Sequence, residues 1–160
     1  MPNNISYPYG VREATVEDAE AIAVQRSLMF REMGSLSEAE MLRVREASKP
    51  WLESLLVDRT YMGWLLLHND VVVGGGGMHL RKLGPMPGCC EGGTGAHVAN
   101  LYIDPQHRRR GLGEALMKLM MQWSRASGIY EMTLAASEEA KPLYRRLAFV
   151  PSEDFYSLKM

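Results

Sequence analysis

The stretch HRRRGLGEAL, residues 107–116, joins a predicted strand to a predicted helix. Three arginines precede two glycines that stand one residue apart. The first backbone N–H groups of a helix have no internal partner and point outward at the positive end of the helix dipole. Glycines lack the Cβ that would keep an anion away from such a backbone. The stretch therefore predicts a binding site for an anion.

The sequence of this turn excludes the two commonest nucleotide-binding loops. A P-loop requires Lys and then Ser or Thr after its last glycine, but Glu114 and Ala115 follow Gly113. A dinucleotide-binding loop requires Gly or Ala where this sequence has Leu116. The next predicted strand also ends in apolar residues, without an acid to hold a ribose. The turn is therefore expected to bind its anion neither as a P-loop nor as a dinucleotide-binding loop.

Length and composition predict one globular domain spanning residues 1–160. The chain is 46% hydrophobic and 23% charged, with a net charge of −1, and it is long enough to bury its own core. This near-neutral charge argues against nucleic acid as a partner, because nucleic-acid binders carry a clear positive excess. No apolar run reaches membrane-spanning length, so no membrane partner is predicted.

The termini and cysteines favour a cytoplasmic protein. The first residues, MPNNISYPYG, have neither the basic segment nor the apolar segment of a signal peptide. The only cysteines, Cys89 and Cys90, are adjacent, so they predict no disulfide framework. Neither the cysteines nor the histidines have metal-ligand spacing, so no metal is predicted.

Hydrophobic periodicity predicts the element order β-αα-βββ-α-β-α-β, a mixed α/β sheet covered by helices. Capping boxes predict helix starts after Thr15 and Ser37, and Asn69–Asp70 predicts a hairpin turn. Local signals give five further expectations. They are helix ends at Gly34 and Gly128, a break or kink at Pro50, a bulge or close helix approach at Gly74–Gly77, a cap on the last helix at Ser137, and a final strand at Phe155–Met160.

Two motifs resemble those of the GCN5-related N-acetyltransferases. Arg108–Gly113, after a strand ending LYIDP, matches the family's motif A, which is R or Q, two residues, Gly, one residue, then Gly or Ala. The segment Glu138–Pro151 is similar to motif B, with Tyr144 and Phe149 at the family spacing. The resemblance covers nearly all of the chain and is strongest from about residue 96.

The resemblance implies the acyl-CoA N-acyltransferase fold, a mostly antiparallel twisted sheet with helices on both faces, and acetyl-CoA as co-substrate. In that family Leu101, Tyr102 and Ile103 would pair with the pantetheine arm, with the Leu101 N–H near the thioester oxygen. Arg108 matches the family's R or Q, and the backbone of the turn would hold the pyrophosphate. Ser137 replaces a frequent Asn that contacts coenzyme. The turn residues are Arg109, Arg110, Gly111, Leu112, Gly113 and Glu114, of which Arg109 and Arg110 would face the 3′-phosphate.

The resemblance also implies catalytic roles. Tyr144 matches a tyrosine near the coenzyme sulfur, where a phenol can protonate the departing thiolate. The glutamate that some relatives use as general base is Ala99 here, so the base stays open. His97, on the same strand face, is the best substitute; His79 and Glu91 are weaker, and ordered water is an alternative. The family's frequent Gly before Phe is also replaced, by Ala148.

These observations predict an acetyl-CoA-dependent N-acetyltransferase that acts on an amine by direct transfer, since neither cysteine lies in a motif. A small-molecule acceptor is favoured over a protein, but its identity is not encoded in any motif. One alternative is a catalytically silent acyl-CoA sensor or interaction module, and a weaker one is a nucleotide phosphate-binding protein. The short segment after the last helix leaves little room for a final hairpin, so a homodimer would supply the missing wall of the acceptor site.

Overall fold

The computed structural model describes residues 5–34, 36–152 and 157–160. Its five strands form one sheet in chain order, in which β4 and β5 are parallel and the other neighbours antiparallel. The strands are β1 (Tyr9–Glu13), β2 (Tyr61–His68), β3 (Val71–Leu83), β4 (Gly93–Ile103) and β5 (Glu131–Leu134). The helices are α1 (Ala19–Glu32), α2 (Glu38–Val57), α3 (Leu112–Ala126) and α4 (Lys141–Arg146). The predicted α/β class and mostly antiparallel sheet are confirmed.

Helices cover both faces of the sheet, and each face has its own apolar core. One core joins α1 and α2 to the sheet through Ile22, Leu52, Tyr61 and Leu65, each at most 2% exposed. The other joins α3 and α4 through residues that include Met78, Leu116 and Met120, which are fully buried. Alternation along each strand sends successive side chains to opposite cores, so one sheet serves both.

Local signals placed several boundaries correctly. The hairpin between β2 and β3 turns at Asn69 and Asp70, which have φ of 48° and 65°. Ser37 and Glu40 exchange the hydrogen bonds of a capping box at the start of α2. Gly34 and Gly128 follow α1 and α3 with φ of 76° and 69°, a conformation that glycine adopts without steric cost.

The glycine run in β3 allows close approach from both faces, as expected. A Cβ on Gly77 would lie 1.9 Å from the Tyr61 hydroxyl, and one on Gly75 would lie 2.8 Å from Gln25 Oε1 of α1. On the opposite face, a Cβ on Gly76 would lie 3.0 Å from the Met120 methyl of α3. A bulge also interrupts the β2–β3 register between Leu66 and Leu67. The missing side chains of these glycines therefore leave room for Tyr61 and α1 on one face and for α3 on the other.

The expected break at Pro50 and the expected cap at Ser137 were both wrong. Pro50 does not break α2, which continues through it from Glu38 to Val57, while the alternative of a kink at Pro50 stays a prediction. Ser137 does not cap α4, since the helix begins four residues later, at Lys141. Pro142 lacks an N–H and therefore sits in the first turn, while Ser137 starts the preceding turn by accepting from the N–H of Ala140.

The predicted final strand at Phe155–Met160 falls partly outside the described residues, which omit 153–156. The described residues 157–160 form no strand and are exposed. Among the described residues no helix is long and apolar enough to cross a membrane.

Candidate active site

The parallel strands β4 and β5 pair over only part of β4. Their ladder joins Gly95–Val98 to Glu131–Leu134, whereas β3 pairs with β4 as far as Ile103. Beyond Val98, the edge of β4 that faces away from β3 has no strand beside it in the described part of the chain. Such an edge offers unpaired N–H and C=O groups to an extended amide-containing ligand.

A bulge at Ala99 reorients β4 just before this free edge. Gly77 pairs with Asn100, but the next residue of β3, Met78, pairs with Val98, so Ala99 is the extra residue. Asn100 is 3% exposed, and its Oδ1 accepts a 2.7 Å hydrogen bond from the Tyr61 hydroxyl. Burial raises the pKa of Tyr61, so its phenol stays protonated and remains a donor. This bond anchors the bulge next to Leu101.

The turn after β4 presents a row of backbone N–H groups. Arg109 and Gly111 adopt left-handed conformations, with φ of 61° and 74°, and α3 starts directly after Gly111. No group in the described residues accepts from the N–H groups of residues 109–111, and those of the first helical turn have no partner within α3. Successive N–H groups in such a conformation form an anion-binding concavity at the positive end of the helix dipole. We call residues 109–114 the α3 nest.

The free edge of β4 and the α3 nest meet in a cleft of about 440 Å³. Most of the coenzyme-binding residues predicted from sequence line it: Leu101, Tyr102, Ile103, Arg108, Arg109, Gly111, Leu112, Gly113 and Glu114. The fold adds residues that the motifs did not indicate, among them Met29 and Glu32 of α1 and Leu143 and Arg146 of α4. Arg146 lies 3.2 Å from the Glu114 carboxylate, which places a third arginine at the cleft with Arg108 and Arg109. Arg110 and Ser137, which were also predicted to bind coenzyme, are not among the lining residues.

Tyr144 lies on α4 and is 9% exposed. Its ring packs against Phe149, with ring centroids 5.9 Å apart, and burial raises its pKa. Ala148 takes a left-handed conformation, with φ of 65°, to end α4, although it lacks the freedom of glycine. Ser137 is partly exposed in the turn that leads from β5 to α4. Tyr144 of motif B is therefore buried in the apolar core between the sheet and α3.

Comparison with known proteins agrees with this architecture. A family model described as "Acetyltransferase (GNAT) family" matches residues 24–149. The chain belongs to the acetyltransferase (GNAT) family. The fold class and the resemblance expected from motifs A and B are thereby confirmed.

Two solved structures superpose on nearly the whole chain. A GCN5-related N-acetyltransferase from Ralstonia eutropha JMP134 is 28% identical, with a TM-score of 0.85, over 94% of this chain and 98% of that one. A predicted acetyltransferase with acetyl-CoA from Clostridium acetobutylicum also has a TM-score of 0.85, over 94% and 96% of the two chains. At 15% identity the second likeness concerns the fold alone.

A curated relative is similar over a shorter stretch. It is a glucosamine 6-phosphate N-acetyltransferase of Trypanosoma brucei brucei, 38% identical over 53 residues. The match spans 33% of this chain and about a third, 36%, of that protein.

Among the candidate bases, His97 lies on β4 and donates to or accepts from the Thr133 hydroxyl through Nδ1, at 2.8 Å. Burial, with a smaller contribution from Arg81, lowers its pKa, so the imidazole is uncharged at neutral pH. It precedes Leu101 by four positions, roughly 10–13 Å along a bulged strand. Glu91 is exposed in the loop before β4.

His79 belongs to a group of side chains on the α1–α2 face that the motifs did not indicate. We call Arg26, Phe30, Trp51, Tyr61 and His79 the Arg26 cluster. The Arg26 guanidinium carbon lies 4.8 Å from the Phe30 ring centroid and 5.2 Å from that of Trp51. The His79 ring lies 5.1 Å from that of Trp51 and 5.3 Å from that of Tyr61.

One signal in the sequence could have revealed Arg26. It stands four residues after Ile22 and four before Phe30, so it occupies the apolar stripe of α1 where a charge is unusual.

Proposed function

We propose that this protein is an acetyl-CoA-dependent N-acetyltransferase, which moves the acetyl group to a primary amine by direct attack within a ternary complex. The observation that carries the proposal is the continuity of the free β4 edge with the α3 nest. A strand edge suits the amides of pantetheine, and a nest of N–H groups suits a pyrophosphate. Membership of the acetyltransferase family supports the same ligand.

In this proposal the backbone holds the coenzyme and the arginines surround it. Leu101, Tyr102 and Ile103 pair with the pantetheine arm, and the α3 nest receives the pyrophosphate. Arg109, Arg110 and Arg146 are exposed around the nest and add attraction for the coenzyme's phosphates. A predicted acetyltransferase of the same fold was solved with acetyl-CoA, which supports acetyl-CoA as the co-substrate.

Acetyl-CoA supplies the thioester. The residues of the chain position this thioester and transfer the protons of the reaction. The Leu101 N–H, fixed next to the Asn100–Tyr61 hydrogen bond, is a preorganised donor for the thioester oxygen, an effect commonly worth a few kcal/mol. The new C–N bond forms as the C–S bond breaks. The amine proton leaves to water, with His97 as the relay candidate, and Tyr144 protonates the thiolate.

A direct transfer is favoured because the cysteines lie away from this cleft. Cys89 and Cys90 are in the loop between β3 and β4, and neither lines the cleft in the described residues. The acceptor is proposed to be a small molecule, since the curated relative that matches part of the chain acetylates an amino sugar phosphate, according to its name.

The test is release of free coenzyme A from acetyl-CoA across a panel of amino sugars, amino acids, polyamines and peptide N-termini. We expect release with at least one amine class, and one N-acetyl product per coenzyme A by mass spectrometry. The alternative of a silent coenzyme sensor predicts a rise in Tm with acetyl-CoA and no release with any amine. That combination would reject the enzymatic proposal.

A further inference from the structure

Arg26 has no acidic partner among the described residues, unlike six other arginines of this protein. Arg12, Arg45, Arg81 and Arg108 each lie within 3 Å of a carboxylate oxygen. Among the described residues no carboxylate comes within 4 Å of Arg26, and no side chain or carbonyl accepts from its N–H groups. Arg26 is also partly buried, between α1 and the ring of Trp51.

A half-buried guanidinium with free donors favours an oxyanion ligand. Burial lowers the pKa of Arg26, which reflects the cost of removing a charge from water without a counter-ion. The rings of Phe30 and Trp51 offset part of this cost through cation–π attraction. They do not use the N–H donors, which suit the paired oxygens of a carboxylate or phosphate.

The Arg26 cluster is connected by side-chain packing to the residue before Leu101, where the proposed reaction has its thioester. Trp51 contacts His79, His79 contacts Tyr61, and Tyr61 donates to Asn100, the residue before Leu101. Tyr61, Asn100 and His79 all lie on the α1–α2 face of the sheet. A ligand seated on Arg26 would therefore lie on the same face of the sheet as Asn100, the residue before Leu101.

We propose that Arg26 binds a carboxylate or phosphate monoester on the acceptor, so that the protein acetylates amines that carry an anionic group. This inference rests on the proposed function, because it assigns the acceptor end of the same reaction. Trp51 is 40% exposed, and its ring forms an apolar wall for the carbon skeleton that separates the amine from the anion. Burial lowers the pKa of His79, which leaves Arg26 as the cation of the cluster at neutral pH.

Matched pairs of amines test the proposal with and without turnover. The pairs are glucosamine 6-phosphate with glucosamine, for the phosphate, and lysine with 1,5-diaminopentane, for the carboxylate. Each is titrated by calorimetry into the protein with coenzyme A, and each is assayed for coenzyme A release with acetyl-CoA. We expect the anionic member of at least one pair to bind roughly 10- to 100-fold more tightly, as for a charge-assisted hydrogen bond.

Variants assign the preference to Arg26. Arg26→Gln should remove the preference, Arg26→Lys should keep part of it, and Arg45→Gln should leave it unchanged, because Arg45 is an exposed residue of α2 paired with Glu20. Should Arg26→Gln fail to fold, Arg26→Met retains the apolar stem and repeats the test. Equal affinity within both pairs, or a preference that survives in Arg26→Gln and Arg26→Met, would overturn the proposal.

The readouts also separate this proposal from the proposed function. Turnover without discrimination within the pairs leaves the N-acetyltransferase function standing and rejects the role of Arg26. Binding that depends on the anion and on Arg26, without coenzyme A release from any amine, supports the oxyanion site and rejects the enzymatic function.

Discussion

Arg108 joins the end of α1 to the end of β4 through Glu32. Its Nη2 donates to both carboxylate oxygens of Glu32, at 2.7 and 2.8 Å, and its Nε donates to the Ile103 carbonyl at 2.8 Å. The first arginine of motif A is therefore engaged by a carboxylate that lines the cleft. In the proposed function, an anionic coenzyme would meet a neutralised arginine at this edge and the exposed Arg109 and Arg146 elsewhere in the cleft.

Replacing Glu32 with Gln should strengthen coenzyme binding. The substitution removes a negative charge from the cleft and leaves Arg108 held by Ile103. Because the pair is about 39% exposed on each side, solvent screens it, and we expect the Kd for coenzyme A to fall by roughly 2- to 5-fold at low salt. Isothermal titration at two ionic strengths checks the value and its loss in salt.

Glu20→Gln is the matched control for that measurement. Glu20 is another exposed glutamate of α1 in an ion pair, with Arg45 of α2, and it does not line the cleft. The control should leave the Kd unchanged. A weaker affinity in Glu32→Gln would instead mean that the carboxylate is needed to hold Arg108 in place for the coenzyme.

A side chain at Gly113 should block the coenzyme without harming the fold. A Cβ there would meet only Leu101 Cδ2, at 4.0 Å, so the position is open toward the cleft. Gly113→Val should raise the Kd for coenzyme A by on the order of tenfold or more, since the ligand would have to move away from the nest. Calorimetry gives the Kd, and Tm should stay within a few degrees of wild type. An unchanged Kd would exclude the α3 nest as the pyrophosphate site.

Local sequence patterns were sufficient to predict the turn after β4 and the helix that follows it. The turn at residues 107–116 is contiguous, so its glycine spacing and the following helix could be recognised in one stretch. The Arg26 cluster could not be predicted in this way, because it combines α1, α2, β2 and β3 through tertiary packing. The start of α4 was predicted at Ser137 but lies at Lys141. Pro142 is favoured in the first turn of a helix, which agrees with the later start.

Tyr144→Phe should reduce turnover more than coenzyme affinity. The variant keeps the ring that packs against Phe149 and removes only the hydroxyl. Burial raises the pKa of Tyr144, so the phenol is protonated at neutral pH and available as a donor to the thiolate. We expect kcat to fall about 10²-fold or more with KM for acetyl-CoA nearly unchanged. Equal losses in kcat and in coenzyme affinity would indicate a structural tyrosine.

Stability should decrease as the pH falls through 6.5. Burial lowers the pKa of both His79 and His97 below that ordinary value, so in this range the unfolded chain binds protons that the folded chain does not. Their stabilising effect is therefore present above pH 6.5 and is lost as the pH approaches their folded values. Urea unfolding at pH 7.5 and 5.5 should show a lower midpoint at pH 5.5, and His79→Gln should reduce the difference. An unchanged difference in that variant would contradict the assignment to His79.

Ala148→Gly should stabilise the protein. Ala148 has φ of 65° at the end of α4, a conformation that costs an L-residue about 1–2 kcal/mol, and glycine adopts it without that penalty. The side chain is exposed, so no packing is lost, and its N–H can still donate to Arg145. We expect a gain of about 0.5–1 kcal/mol in the free energy of unfolding after the higher backbone entropy of unfolded glycine is included. Urea denaturation measures the gain. Ala126→Gly, in the last turn of α3, should instead destabilise, because that residue is helical. A loss at both positions would show that residue 148 does not need the left-handed conformation.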